Sequence, residues 1–162
     1  MIDDLDELLK AAVCEVFATM LALPVQKDDH YQPLDSSQST IAGAVGFIGE
    51  PTGVIYIYAP MALAKVMTTK LTGTEWGEVE EDEMINDSMG ELSNMIVGHL
   101  KSRLSDRGNS CVLTIPSIVR GTNFCIEPVS TTVRKVFSFH CGDYQLVAEV
   151  MLKPTEFTSK AA

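Results

Sequence analysis

The sequence predicts an α+β domain in which helices pack on a mainly antiparallel β-sheet. Two short runs, 41–47 and 53–58, are apolar and rich in β-branched or aromatic residues, as strands are. A longer stretch, 84–104, repeats its apolar residues at helical spacing. The second half of the chain then carries several strand-like runs divided by Pro, Gly and Asp, which is typical of an antiparallel meander.

The first element is predicted to be an amphipathic helix over 2–20, because its apolar residues recur at intervals of three and four. Asp3 and Asp4 suit the positive end of that helix, and Pro24 ends the run. Residues 26–39 are polar and read as a surface loop within the domain. The apolar positions of the helix are Ile2, Leu5, Leu8, Leu9, Val13, Val16, Phe17 and Met20.

The next two elements are predicted to be the strands 41–47 and 53–58, joined as a hairpin by the intervening Ile-Gly-Glu-Pro-Thr sequence. A second helix is predicted over 61–71. Pro60 suits its first turn and Gly73 stops it.

The longest helix is predicted to follow the acidic run 75–83 and to continue to about Leu104, because acidic residues in a first turn stabilise the positive helix end. An Arg-Gly-Asn turn comes next. The remaining strands are predicted at 110–115, 123–129, 133–141 and 145–152. The order of elements is therefore α-β-β-α-α followed by three or four strands.

Length and composition indicate one domain: 162 residues with 46% apolar content can bury one continuous core. We predict a single domain at 1–153 and a flexible C-terminal tail at 154–162. The net charge of −10 disfavours binding to nucleic acid or to an anionic membrane surface. The acidic start of the chain is unlike a secretory signal, and no apolar run approaches the roughly 20 residues of a membrane span. A cytoplasmic location is expected.

The cysteine and histidine residues do not show metal-ligand spacing, because none of the four cysteines forms a CxxC pair and the three histidines are scattered. We interpret the cysteines as buried, reduced thiols and expect no metal site. A metalloprotein is the alternative that composition leaves open. The residues concerned are Cys14, Cys111, Cys125, Cys141, His30, His99 and His140.

The helix over 84–104 separates into two faces at about 100° per residue. An apolar arc is predicted to pack on the sheet, and a polar strip is predicted to face outward. The apolar arc consists of Ile85, Met89, Leu92, Ile96, Leu100 and Leu104, and the polar strip of Asp87, Glu91, Asn94, Gly98 and Lys101.

The composition of the polar strip suggests a binding surface. Asn and Gly are poor helix formers, so Asn94 and Gly98 do not help a helix that is merely solvated. Gly98 lets a partner approach, and the carboxamide of Asn94 both donates and accepts hydrogen bonds, which suits it to orient a water molecule. Glu91 offers a charge for a partner's lysine, and Met84 and Met95 flank the strip with adaptable apolar groups.

Four residues in this region occur in an order and at a spacing that resemble the motif of the CheC, CheX and FliY phosphatase family. That family has Asp or Ser, then Glu four residues on, then Asn three further, then Pro about 22 residues later; Asp87, Glu91, Asn94 and Pro116 match. Short sequence motifs around these residues are also similar to CheX. They are Lys-Leu-Thr-Gly ending at Gly73, Gly-Glu-Leu-Ser-Asn followed by Met-Ile-Val-Gly, and Val-Arg-Gly after Pro116. The resemblance covers about 5–152.

The resemblance implies a CheC-like fold and a phosphatase that acts on the phospho-aspartate of a CheY-like response regulator. Asn94 would orient the attacking water and Glu91 would pair with a regulator lysine. The regulator would supply Mg²⁺, so the chain needs no cofactor of its own. The helix over 61–71 lacks a Glu followed three residues on by Asn, which implies one site per chain. Family members also imply a homodimer.

The other residues of the strip, and Met95 beside it, are expected to contact the partner. The residues concerned are Asp87, Met95, Gly98 and Lys101. The alternative hypothesis is a non-catalytic module that binds a receiver domain or serves as a flagellar-switch adaptor through the same surface.

Overall fold

The computed structural model describes residues 4–75, 82–129 and 132–153. The helices in these ranges are α1 (Leu5–Val16), continued by a π-helical turn (Phe17–Leu21), α2 (Met61–Thr72) and α3 (Asp82–Asp106). The strands are β1 (Gln26–Lys27), β2 (Ser39–Gly49), β3 (Gly53–Pro60), β4 (Cys111–Leu113), β5 (Ser117–Thr122), β6 (Val133–Cys141) and β7 (Tyr144–Leu152). The predicted α+β class is confirmed.

The described strands form one antiparallel sheet in the order β1-β6-β7-β3-β2-β4, and β5 also pairs with β2. The hairpin of β2 and β3 and the hairpin of β6 and β7 were both predicted. β7 lies between β3 and β6, so it is central and buried on both faces. Such burial explains why its sequence is almost continuously apolar.

The outer strand beside β2 is interrupted, and here the prediction is wrong. β4 pairs with one end of β2 and β5 with the other, so a strand exists at Ser117–Thr122 that the sequence did not indicate. The segment 123–129, which was predicted to be a strand, is irregular. Pro116 lacks an N–H for the ladder and divides the outer strand, which is where a sheet tolerates proline.

The helices cover one face of the sheet, and the hydrophobic core lies between the helices and the sheet. The side chains that enter this core from β2 and β3 alternate with outward ones, as the period of two requires. They are Ile41, Val45, Phe47, Ile55, Ile57 and Ala59. Neither α1, α2 nor α3 in the described ranges combines the length and apolar composition that crossing a bilayer requires.

The π-helical turn at the end of α1 corrects one predicted core position. The three- and four-residue spacing places Met20 in the core, but Met20 is 42% exposed and Leu21 is buried instead. A π turn contains one residue more than an α turn, so the residue that faces the core moves along by one. The N–H of Ala22 bonds to the carbonyl of Phe17, which closes this turn.

The opposite face of the sheet is covered by two irregular segments. One is the loop before β2, whose Gln32 exchanges hydrogen bonds with the Ser138 hydroxyl of β6. The other is the segment after β5, whose Phe124 ring lies 6.3 Å from the ring of Tyr58. The loop was predicted, except that it contains the short strand β1.

Three predicted features lie partly or wholly outside the described residues. They are the start of the first predicted helix, with Ile2 and Asp3, most of the acidic run at 75–83, and the tail at 154–162. Within the described part, α3 begins in that run with Asp82 and Glu83 and ends at Asp106, close to the predicted end.

Candidate functional site

Helix α3 is held close to the sheet by a small-residue contact. A Cβ atom added to Gly43 of β2 would lie 2.8 Å from the Cβ of Ser93 and closer still to its Oγ. Only glycine at this point lets the helix backbone approach so near. Ser93 is fully buried and precedes Asn94, so the sheet directly supports the turn that carries Asn94.

The two predicted faces of α3 are confirmed. All six residues of the apolar arc are buried, and Asp87, Glu91 and Asn94 are exposed. Gly98 and Lys101 are half-buried, so the strip is less exposed to solvent toward the C-terminal end of α3. Met95, predicted to contact the partner, is half-buried and packs partly against the core.

Glu91 and Asn94 have no hydrogen bond or ion pair with any residue in 4–75, 82–129 or 132–153. Neighbouring charges are engaged: Arg103 pairs with Glu15, and Arg120 pairs with Asp82 at 2.8 Å. The Arg103 hydrogen bond holds the pKa of Glu15 below its usual value. Glu91 and Asn94 therefore present free polar groups, one helical turn apart, to an incoming molecule.

Pro116 lies beside this strip. A Cβ atom added to Gly90 would be 3.8 Å from the Cγ of Pro116 and 3.9 Å from the Cδ1 of Ile118. Gly90 is buried, so the break in the outer strand packs against α3 one residue before Glu91. Pro116 thus lies against the helix that carries the other three residues of the family pattern, Asp87, Glu91 and Asn94.

The other flank of the strip is a groove between α3 and the ends of α1 and α2. Sequence reasoning missed this groove, because its position depends on the π-helical turn. The residues that line it are Met20, Leu71, Thr72, Glu83, Met84, Asp87, Ser88 and Glu91.

The cysteines and histidines are not brought together. Among the described residues, no group of three or more His, Cys, Asp and Glu side chains is arranged to hold a metal ion. Cys111 and Cys141 are buried and Cys14 is half-buried, but Cys125 is exposed, which corrects the prediction of four buried thiols. Its thiol donates to Glu127, and this bond raises the pKa of Cys125.

A separate cavity of about 200 Å³ lies on the sheet face away from the helices. Its floor contains Glu149, which is 3% exposed and accepts hydrogen bonds from Tyr58 and Arg134. Burial, with the charge of Glu149, raises the pKa of Tyr58. The sheet separates this cluster from the strip on α3.

The family model described as chemotaxis phosphatase CheX matches residues 41–140, which is more than half of the chain and includes Asp87, Glu91, Asn94 and Pro116. This chain belongs to the CheX family. The family resemblance drawn from the sequence is therefore confirmed.

Relatives and solved structures agree with membership of the CheX family. The CheY-P phosphatase CheX of Thermotoga maritima is 28% identical over 109 residues, which cover 62% of this chain and 68% of the relative. A CheC-like superfamily protein from Shewanella sp. PV-4 superposes with a TM-score of 0.80 at 22% identity, over 95% of this chain and all of the other. A chain of the CheX–CheY–BeF₃–Mg²⁺ complex from Borrelia burgdorferi gives 0.74 at 19% identity, over 93% and 99%. The predicted CheC-like fold is confirmed.

Proposed function

We propose that this protein hydrolyses the phospho-aspartate of a CheY-like response regulator, with Asn94 orienting the attacking water and Glu91 pairing with a regulator lysine. Membership of the CheX family and a relative named CheY-P phosphatase support the activity. The observation that carries the assignment of residues is the exposure of Glu91 and Asn94, both without a partner among the described residues.

The proposed chemistry needs positioning more than covalent work. The carbonyl oxygen of Asn94 accepts a hydrogen bond from a water molecule and directs its oxygen at phosphorus, in line with the aspartyl oxygen. The P–O bond to the aspartate breaks, the carboxylate leaves with the electron pair, and the water oxygen takes its place on phosphorus. The water gives up a proton to a phosphoryl oxygen or to solvent, and inorganic phosphate is released. Because a carboxylate is a good leaving group, the enzyme does not have to protonate it.

The regulator completes the site in this proposal. A Mg²⁺ held by the regulator would neutralise the phosphoryl oxygens, and the complex from Borrelia burgdorferi, which contains CheX, CheY, BeF₃ and Mg²⁺, supports a metal that arrives with such a partner. Asp87, Met95, Gly98 and Lys101 are proposed to contact the regulator around the central pair. The homodimer and the cytoplasmic location remain predictions.

The decisive experiment is Asn94→Ala in an assay of phosphate release from the phosphorylated regulator. We expect the rate of catalysed hydrolysis to fall about a hundredfold, as misplaced reacting groups typically cause. Alanine is a better helix former than asparagine, so the variant should unfold at the same or a higher urea concentration. A loss of activity without a loss of stability isolates the role of the carboxamide.

Ser105→Ala is the matched control, because Ser105 is an exposed polar residue about three turns further along α3, on the same side as Asn94 but beyond Lys101, the last residue of the strip. It should retain full activity. If Asn94→Ala is as active as the wild-type protein, the water-positioning role is wrong. If the wild-type protein binds the phosphorylated regulator without accelerating its hydrolysis, the chain is an adaptor and not a phosphatase.

A further inference from the structure

The π-helical turn moves a methionine from the core to the surface beside the candidate site. Met20 is 42% exposed, and the next residue, Leu21, occupies the core in its place. π turns are uncommon and are frequently found at functional sites. A large apolar side chain held at the surface by such a turn suggests a contact with another molecule.

The apolar lining of the groove comes from Met20 of the π-helical turn, Leu71 of α2 and Met84 of α3. Leu71 and Met84 are half-buried and pack against the core, which supports the apolar lining from below. Methionine side chains adapt to the shape of a partner, which suits them to a surface that receives a varied side chain.

The acidic residues of the groove all lie on α3, on either side of Met84 in sequence. They are Glu83, Asp87 and Glu91, which are all exposed, and none of the groove's described lining residues is a lysine or arginine. A partner that offers a cation to these carboxylates and an apolar group to the neighbouring apolar lining is therefore complementary to the groove. A segment with adjacent apolar and basic side chains meets both requirements.

We propose that this groove receives a bulky apolar side chain of the response regulator that stands next to a lysine or arginine. The inference rests on the proposed function, because Glu91 belongs both to the groove and to the proposed catalytic pair. The regulator then lies across α3 with its basic segment over Met20 and Glu91 and its phosphoryl group over Asn94. The groove selects among regulators through the apolar side chain.

The test compares Met20→Ser with Met20→Leu in steady-state assays on the phosphorylated regulator. Serine removes most of the apolar contact, and we expect KM to rise about three- to tenfold with kcat within twofold of wild type. Leucine keeps the contact and should restore KM to near the wild-type value. The affinity for the regulator bound to beryllofluoride should change in parallel, measured by titration calorimetry.

Val129→Ser is the matched control, because Val129 is the most exposed large apolar residue of the described chain and lies away from the groove. Its KM should equal that of the wild-type protein. An active wild-type enzyme whose KM and affinity are unchanged by Met20→Ser overturns the groove proposal and leaves the proposed function standing. An inactive wild-type protein overturns the proposed function, and calorimetry still reports whether the groove binds.

A different occupant gives a different result. If Met20→Ser converts a dimer into a monomer, as measured by light scattering, and leaves regulator affinity unchanged, the groove binds a second copy of this chain. That outcome also contradicts the proposal.

Discussion

Asn94 and Gly98 lower the stability of a helix interior relative to alanine, and their positions on α3 explain why they can occur there. Both lie on the outward side of α3, where the core places no demand on them. Gly98 has no atom of the described residues within 4 Å of the position that a Cβ would occupy, so packing among those residues does not require glycine there. A docking surface that needs close approach at this position would account for the glycine.

Gly98→Ala separates this explanation from a structural one. Alanine fits the helix and the open space, so the free energy of unfolding should rise by about 0.5–1 kcal/mol in urea titrations. A methyl group forced into a packed interface costs about 1–3 kcal/mol, so KM for the phosphorylated regulator should rise at least about fivefold. A variant with greater stability and unchanged KM would remove Gly98 from the docking surface.

Residues of the candidate site could be predicted because exposure on a long helix follows from simple periodicity. Asp87, Glu91 and Asn94 are outward wherever the helix begins, since the apolar arc on the other side fixes its rotation. Met20 could not be predicted. A π turn shifts the register by one residue and leaves no reliable trace in a pattern of apolar spacing.

At the scale of elements, the interrupted outer strand was the part of the fold that the sequence concealed. Ser117–Thr122 reads as Ser-Ile-Val-Arg-Gly-Thr, which is short and follows a proline, whereas Asn123–Val129 is more apolar. The apolar character of that second segment comes from covering the far face of the sheet with Phe124 and Ile126. Burial by a loop and burial in a strand look alike in sequence.

At the element scale, the contact between β2 and α3 sets the distance between the sheet and the helix that carries Asn94. Gly43→Ala should lower the free energy of unfolding by about 1–3 kcal/mol, because its Cβ would clash with Ser93 and the helix must move away. Urea-induced unfolding followed by circular dichroism measures this change.

Removing the opposing atoms should relieve the clash. Adding Ser93→Gly to Gly43→Ala deletes the Cβ and Oγ that the new methyl group meets, so the double variant should be more stable than Gly43→Ala alone. Ser93→Gly by itself should cost only about 0.5 kcal/mol of helix propensity. If the loss of stability in the double variant equals the sum of the losses in the two single variants, Gly43 and Ser93 do not constrain each other.

At the scale of the whole molecule, the sheet divides the protein into two sides with different tasks. The helical side carries α3 and the proposed phosphatase strip. The other side carries Glu149, whose carboxylate is buried beneath two irregular segments and is bound by Arg134 Nε at 2.7 Å and by the Tyr58 hydroxyl at 3.2 Å. These contacts connect β3, β6 and β7, so we predict that this side contributes to stability and not to catalysis.

Arg134→Met tests that division of tasks. The substitution leaves the Glu149 carboxylate buried without its cation, which typically costs about 3 kcal/mol or more. We therefore expect a clearly lower free energy of unfolding, while kcat and KM of the protein at 25 °C stay within twofold of wild type because α3 lies across the sheet.

The double variant Arg134→Met, Glu149→Met completes the test of this pair, in which the carboxylate is buried and the guanidinium is partly exposed. Replacing both charges with apolar side chains of similar length removes the unpaired carboxylate, so most of the lost stability should return. Recovery with unchanged kcat would confirm that the far side supports the sheet without acting on the site. If Arg134→Met instead lowers kcat in step with stability, the two sides are coupled, and α3 depends on the buried cluster that faces away from it.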